Sequence, residues 1–121
     1  MNRPLLCAIV SLPLLAGSGT AFAHAELESA NPPVGGTVHA APAELSITFG
    51  EEVEPRFSAI VVLDAKGHRE DQGASHTAAN DAKILSVALK PLAPGLYKVI
   101  WHATSVDSHK TKGSYEFTVK P

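Results

Sequence analysis

Three residues of this 121-residue chain could act together on one metal ion: His24, Asp107 and His109. Asp107-Ser108-His109 sets a carboxylate and an imidazole two positions apart. In extended chain such residues point to the same side, so both can meet one ion from one direction. His24 matters for a different reason. As the first residue of a processed chain it would offer a free α-amine and an imidazole Nδ1 that close one chelate ring, which no interior histidine can do. With ordinary pKa values of about 8 and about 6.5, both groups yield their protons to a competing metal near neutral pH. Each feature alone is weak, since turns are rich in Asp and Ser and some residue must follow any cleavage site. Together they require a fold that brings the start of the chain beside a loop near its end.

The opening segment is what would make His24 a terminus. Arg3 is its only charge, Pro4 to Gly17 is almost wholly apolar, and Ala21-Phe22-Ala23 has the small-x-small form that signal peptidase accepts. This pattern predicts a signal peptide over residues 1–23, cleaved after Ala23, and export from the cytoplasm. The apolar run is shorter than the roughly 20 residues of a membrane-spanning helix. Cleavage would remove Met1 and Cys7, the one methionine and the one cysteine. The remaining domain, 24–121, would have no sulfur ligand and no disulfide, so its fold must rest on an apolar core. Cys7 comes too early in the apolar run to serve as a lipid-attachment site. Beyond Arg3 there are nine basic residues against 12 acidic ones. They are interspersed, with no basic run that would suggest nucleic acid or stable membrane insertion.

The elements that must position these residues are strands. No helical stripe of useful length follows the leader, whereas apolar and polar residues alternate through Leu45-Ile47-Phe49, Ala59 to Leu63, Ile84 to Leu89, Tyr97 to Ala103 and Tyr115 to Val119. Weaker strands are expected at Ala25 to Ala30 and around Arg69 to His76. Turn signals stand between them: Asn31 to Gly36, Glu54-Pro55, Asp64 to Gly67, Asn80-Asp81 and Pro91 to Gly95. Seven short strands at such spacing predict an all-β, seven-stranded Greek-key sandwich of immunoglobulin-like or cupredoxin-like type. Trp101 is expected in its core.

The chain resembles the CopC family of periplasmic copper-resistance proteins. The likeness is carried by His24-Ala25-Glu26-Leu27, Pro32 to Gly35, Leu45 to Phe49, Glu51 to Ser58, Leu92 to Val99, Trp101, Ser105-x-Asp107-x-His109, Gly113-Ser114 and Phe117. The resemblance implies a Cu(II) site made by His24, Asp107 and His109, with Glu51 as a weak or axial contact. Ser108 stands where many relatives have Gly. Some family members carry a methionine-rich Cu(I) loop, and the corresponding stretch here, Asp64 to His76, has no methionine. Thioether ligands select Cu(I) while imidazole, amine and carboxylate suit Cu(II), so the expectation is a Cu(II)-only form. His68 and His76 could form a looser second site, and His39 and His102 read as structural or exposed. The resemblance further implies a monomeric, non-enzymatic protein of copper homeostasis that sequesters Cu(II) or delivers it to a CopD-type inner-membrane transporter. Two rival readings are a histidine-brace oxidative enzyme, similar to the lytic polysaccharide monooxygenases, and a metal-free interaction domain.

Overall fold

A computed structural model describes residues 26–121. The expected leader, 1–23, and His24 lie outside the described residues. The order of elements is β1 (Leu27–Asn31), β2 (Thr37–Val38), β3 (Glu44–Phe49), a 3-10 turn (Pro55–Phe57), β4 (Ala59–Leu63), β5 (Asp71–Ala78), β6 (Asp81–Leu89), β7 (Gly95–Thr104) and β8 (Lys110–Val119). The seven strands expected from the sequence are all present. The eighth, β2, has two residues and pairs in parallel with the end of β8, too short to leave a periodic signature.

Two four-stranded sheets form the sandwich, sheet A in the order β1-β3-β6-β5 and sheet B in the order β2-β8-β7-β4. Neighbours such as β3 and β6 are not consecutive because the chain crosses between sheets, as Greek-key wiring requires. Strand alternation then sorts the side chains. Leu45, Ile47 and Phe49 of β3 and Leu85, Val87 and Leu89 of β6 face inward from sheet A; Ile60 and Val62, Tyr97 to Ala103 in alternation, and Tyr115, Phe117 and Val119 face them from sheet B. Trp101 is buried, as expected, with its ring edge-on to Phe49 at 5.2 Å between centroids. Gly113 lies opposite Trp101 in the β7–β8 register. A Cβ there would come within 2.7 Å of the indole, so a residue without a side chain is what lets the tryptophan lie flat beneath β8.

Two buried polar groups pin the layers. Asp71, at the start of β5, accepts from the Val62 backbone N–H at 2.9 Å and holds Arg69 through both carboxylate oxygens, at 2.9 and 2.7 Å. Burial alone would raise its pKa. The Arg69 hydrogen bonds, the Val62 N–H and the Arg69 charge outweigh that and hold the carboxyl below its ordinary value. Tyr115 donates to the Pro32 carbonyl at 3.1 Å, and burial pushes its hydroxyl pKa well above the usual range.

Candidate metal centre

The β7–β8 hairpin builds the first half of the site. Its strands pair without interruption from Gly95↔Val119 to Thr104↔Lys110, so the connecting residues 105–109 sit on a rigid support at one end of the sandwich. Ser105, 1% exposed, closes this loop on itself. Its N–H donates to the His109 carbonyl at 2.9 Å and its carbonyl accepts from the Ser108 N–H at 2.8 Å. Its Oγ accepts from the N–H groups of both Asp107 and His109, each at 3.2 Å. The backbone of both presumed ligand residues is thus tied to one buried hydroxyl. Ser108, between them, has φ of +73°, the left-handed region that favours glycine.

The second half follows β3. Phe49 anchors the strand in the core and the chain then turns through Gly50 to Glu52. Backbone contacts seam this turn to the hairpin loop: Val106 N–H donates to the Glu52 carbonyl at 3.1 Å, Glu54 N–H to the Thr104 carbonyl at 2.8 Å, and Val53 bridges Ser105. The seam joins a turn of sheet A to a loop of sheet B. It brings one ligand atom each from Glu51, Asp107 and His109 within 4.8 Å of one another. Asp107 and His109 are exposed, while Glu51 is half-buried and its Oε1 is buried without a hydrogen-bond partner among the described residues. A buried carboxylate oxygen left unpaired is unfavourable unless a cation reaches it.

Three of the four residues singled out from the sequence therefore meet. The fourth, His24, lies outside the described residues. What is described is where β1 begins: Glu26 accepts from the Gly50 N–H at 3.0 Å, so the chain enters the sandwich beside Glu51. Ser105 was quoted only as part of a motif. Its signal was a small hydroxyl residue two and four positions before the ligand residues, the spacing at which a Ser oxygen can accept from the following backbone.

The loose second site is not assembled. His68 faces Asp64 at 3.2 Å within the β4–β5 turn, where the backbone N–H of His68, ahead of that of Lys66 and the His68 ring, holds the Asp64 carboxyl below its ordinary value against desolvation. His76, on β5, faces Glu44 across sheet A at 3.6 Å. Each histidine has its own carboxylate. His39 and His102 are exposed, as expected.

Comparison with known proteins places the arrangement. The CopC domain profile matches residues 27–120. The chain is 37% identical over 119 residues to Protein YobA of Escherichia coli, spanning 98% of this chain and 96% of that one. It is 32% identical to copper resistance protein C of Xanthomonas campestris pv. juglandis, over 98% and 97% of the two chains. The crystal structure of CopC from Methylosinus trichosporium OB3b superposes with a TM-score of 0.76 at 35% identity, covering 81% of this chain and 95% of that one. PcoC, a methionine-rich copper resistance protein from E. coli, superposes at 0.70 with 33% identity, covering 81% and 100%. With a profile match over the whole sandwich and relatives aligned nearly end to end, this chain belongs to the CopC family.

Proposed function

We propose that this protein is a periplasmic Cu(II) carrier: after cleavage behind Ala23 it captures Cu(II) with His24, Asp107 and His109, and buffers the ion or passes it to a membrane transporter. Family membership supports a copper-related function. The observation that carries the finer reading is the meeting of Glu51, Asp107 and His109 at one seam, with a buried Glu51 oxygen that has no partner among the described residues. The donors are imidazole and carboxylate, a set that suits Cu(II) and offers Cu(I) no sulfur. The amine and imidazole of His24 would complete it. Only Ala25 separates His24 from Glu26, which is tied to Gly50, and two steps of extended chain reach about 7 Å.

The role of the ion as cargo fits a relative named copper transport protein CutJ, of Bacillus subtilis. This chain matches it at 33% identity over 20% of its length. A CopC-like unit there is part of a longer protein, which supports a CopD-type inner-membrane partner for this chain. The reading is non-enzymatic, because two carboxylates at the site favour the higher charge state and oppose the reduction that oxygen activation requires. Titration of the processed protein with Cu(II), followed by electron paramagnetic resonance, tests the proposal. One equivalent should bind with a nitrogen and oxygen signature. A chain with one extra residue before His24 should bind far more weakly while remaining folded. Equal affinity in the two forms would falsify the role of the amine, and ascorbate-driven oxygen consumption by the copper-loaded protein would favour the oxidative enzyme instead.

A further inference from the structure

The outer face of sheet B differs from that of sheet A. The outward positions of sheet A, among them Ser46, Thr48, Gln72 and Ser86, include no lysine or arginine. On sheet B the β7–β8 register sets Lys110 opposite Thr104 and Lys112 opposite His102, with Lys98 further along the same face. Charges that are scattered along the sequence are thus collected into one row. Lys98 has Glu116 directly across from it and Asp64 beside it. At the copper end, by contrast, Lys110 and Lys112 face Thr104 and His102 and have no carboxylate across from them; none of the three lysines makes an ion pair among the described residues.

The row lies in a trough. Three depressions share His102 in their walls and run from Ser108 and Phe57, past Lys110 and Lys112, to Ile100 and Lys98. The one nearest the candidate metal centre has a volume of about 560 Å³. Phe57 at its end is 57% exposed and Ile100 further along is 38% exposed. From Lys98 to Thr104 a strand spans about 20 Å, the length of some six extended residues.

We propose that this trough is a docking surface for an extended acidic segment of a protein partner, its carboxylates meeting Lys110 and Lys112 and an apolar side chain meeting Phe57. Charge complementarity selects the occupant: Lys110 and Lys112, without an ion pair among the described residues and without an acidic residue across from either, lie between apolar ends, whereas Lys98 has Glu116 across from it. The trough ends on Ser108, between Asp107 and His109, so an occupant touches the loop that carries both ligand residues. That coupling to copper rests on the function proposed above; the docking surface does not.

The test uses the processed protein and a capped synthetic peptide of alternating glutamate and valine, whose blocked ends cannot chelate copper. In an NMR titration the amides of His102, Ser108 and Lys110 should shift. Lys110→Gln with Lys112→Gln should weaken the peptide by about 5- to 10-fold, which is what two exposed charge pairs supply, and leave Cu(II) affinity within about twofold. Lys66→Gln with Lys83→Gln, away from the trough, should change neither. Equal loss in that control pair would show diffuse attraction and overturn the site. So would shifts with a lysine–valine peptide, or binding to phosphatidylglycerol vesicles in place of the peptide. No peptide binding with Cu(II) binding intact overturns the docking surface alone. Peptide binding in a protein that does not take up Cu(II) supports the surface and removes the copper function.

Discussion

Asp71 and Glu51 are two sheltered carboxylates in the same sandwich, and only one is satisfied. Both Asp71 oxygens have partners, a bidentate arginine and a backbone N–H. Glu51 has a buried oxygen with none among the described residues, and sits beside Asp107 and His109. The fold can evidently pair a carboxylate it uses for packing. Leaving one unpaired at a seam between sheets is the local inconsistency expected where function overrides stability.

Substitutions can sharpen or break that contrast. The largest effect is expected at the metal loop. Asp107→Ala and His109→Ala should each lower Cu(II) affinity by at least about 100-fold, since even outer-shell partners of metal sites are worth ~10- to 100-fold. Apo stability should hardly change, which a copper-competition titration beside a denaturant melt would establish. Asp71→Ala should show the opposite pattern: about 2–3 kcal/mol of stability lost through an unpaired Val62 N–H and a broken pair whose arginine end is solvent-screened, with Cu(II) affinity unchanged.

The Asp71 contribution also has a pH signature. Its folded pKa is depressed, so the folded state binds fewer protons. Its stabilisation is complete above the ordinary carboxyl pKa of about 4 and disappears as pH falls through the lower folded value. Melts of the wild type and Asp71→Asn should therefore converge in acid and diverge near neutrality; a gap that persists in strong acid would mean packing rather than charge.

Ser105→Ala is intermediate. Two N–H groups lose their acceptor, which should cost about 1–2 kcal/mol, and Cu(II) affinity should fall by roughly 10-fold because both ligand residues lose a tether. Ser105→Thr should restore much of it. The smallest effect is expected from Glu51→Gln: apo stability equal or slightly higher, because a neutral amide is less costly to bury, with a modest loss of Cu(II) affinity. If Glu51→Gln instead destabilises the apoprotein as Asp71→Ala does, the two carboxylates play the same part and the contrast fails.

The strands were legible because each is half-buried and alternates, and Trp101 because it shares the apolar phase of its run with Tyr97, Val99 and Ala103. The two-residue β2 has too few positions to show a period, and the 3-10 turn at Pro55–Phe57 appeared only as a turn signal. The spacing of Asp107 and His109 allowed both to face one ion, a weak signal alone that the family likeness strengthened. Glu51 entered only through the family likeness, because its meeting with the hairpin depends on backbone contacts between distant segments. The lysine row was invisible for a similar reason: Lys98 joins Lys110 and Lys112 on one face only once β7 and β8 pair.

The seam at Val53 and Ser105 is where a turn of one sheet meets a loop of the other. An ion held by Glu51, Asp107 and His109 would act there as a removable cross-link, stitching the end of β3 to the last hairpin at one rim of the sandwich. Opening of that rim, the first step toward attack by a protease, would then be slower in loaded molecules than in empty ones. Proteolysis would act first on the empty molecules, and the lifetime of each molecule would depend on whether it carried an ion.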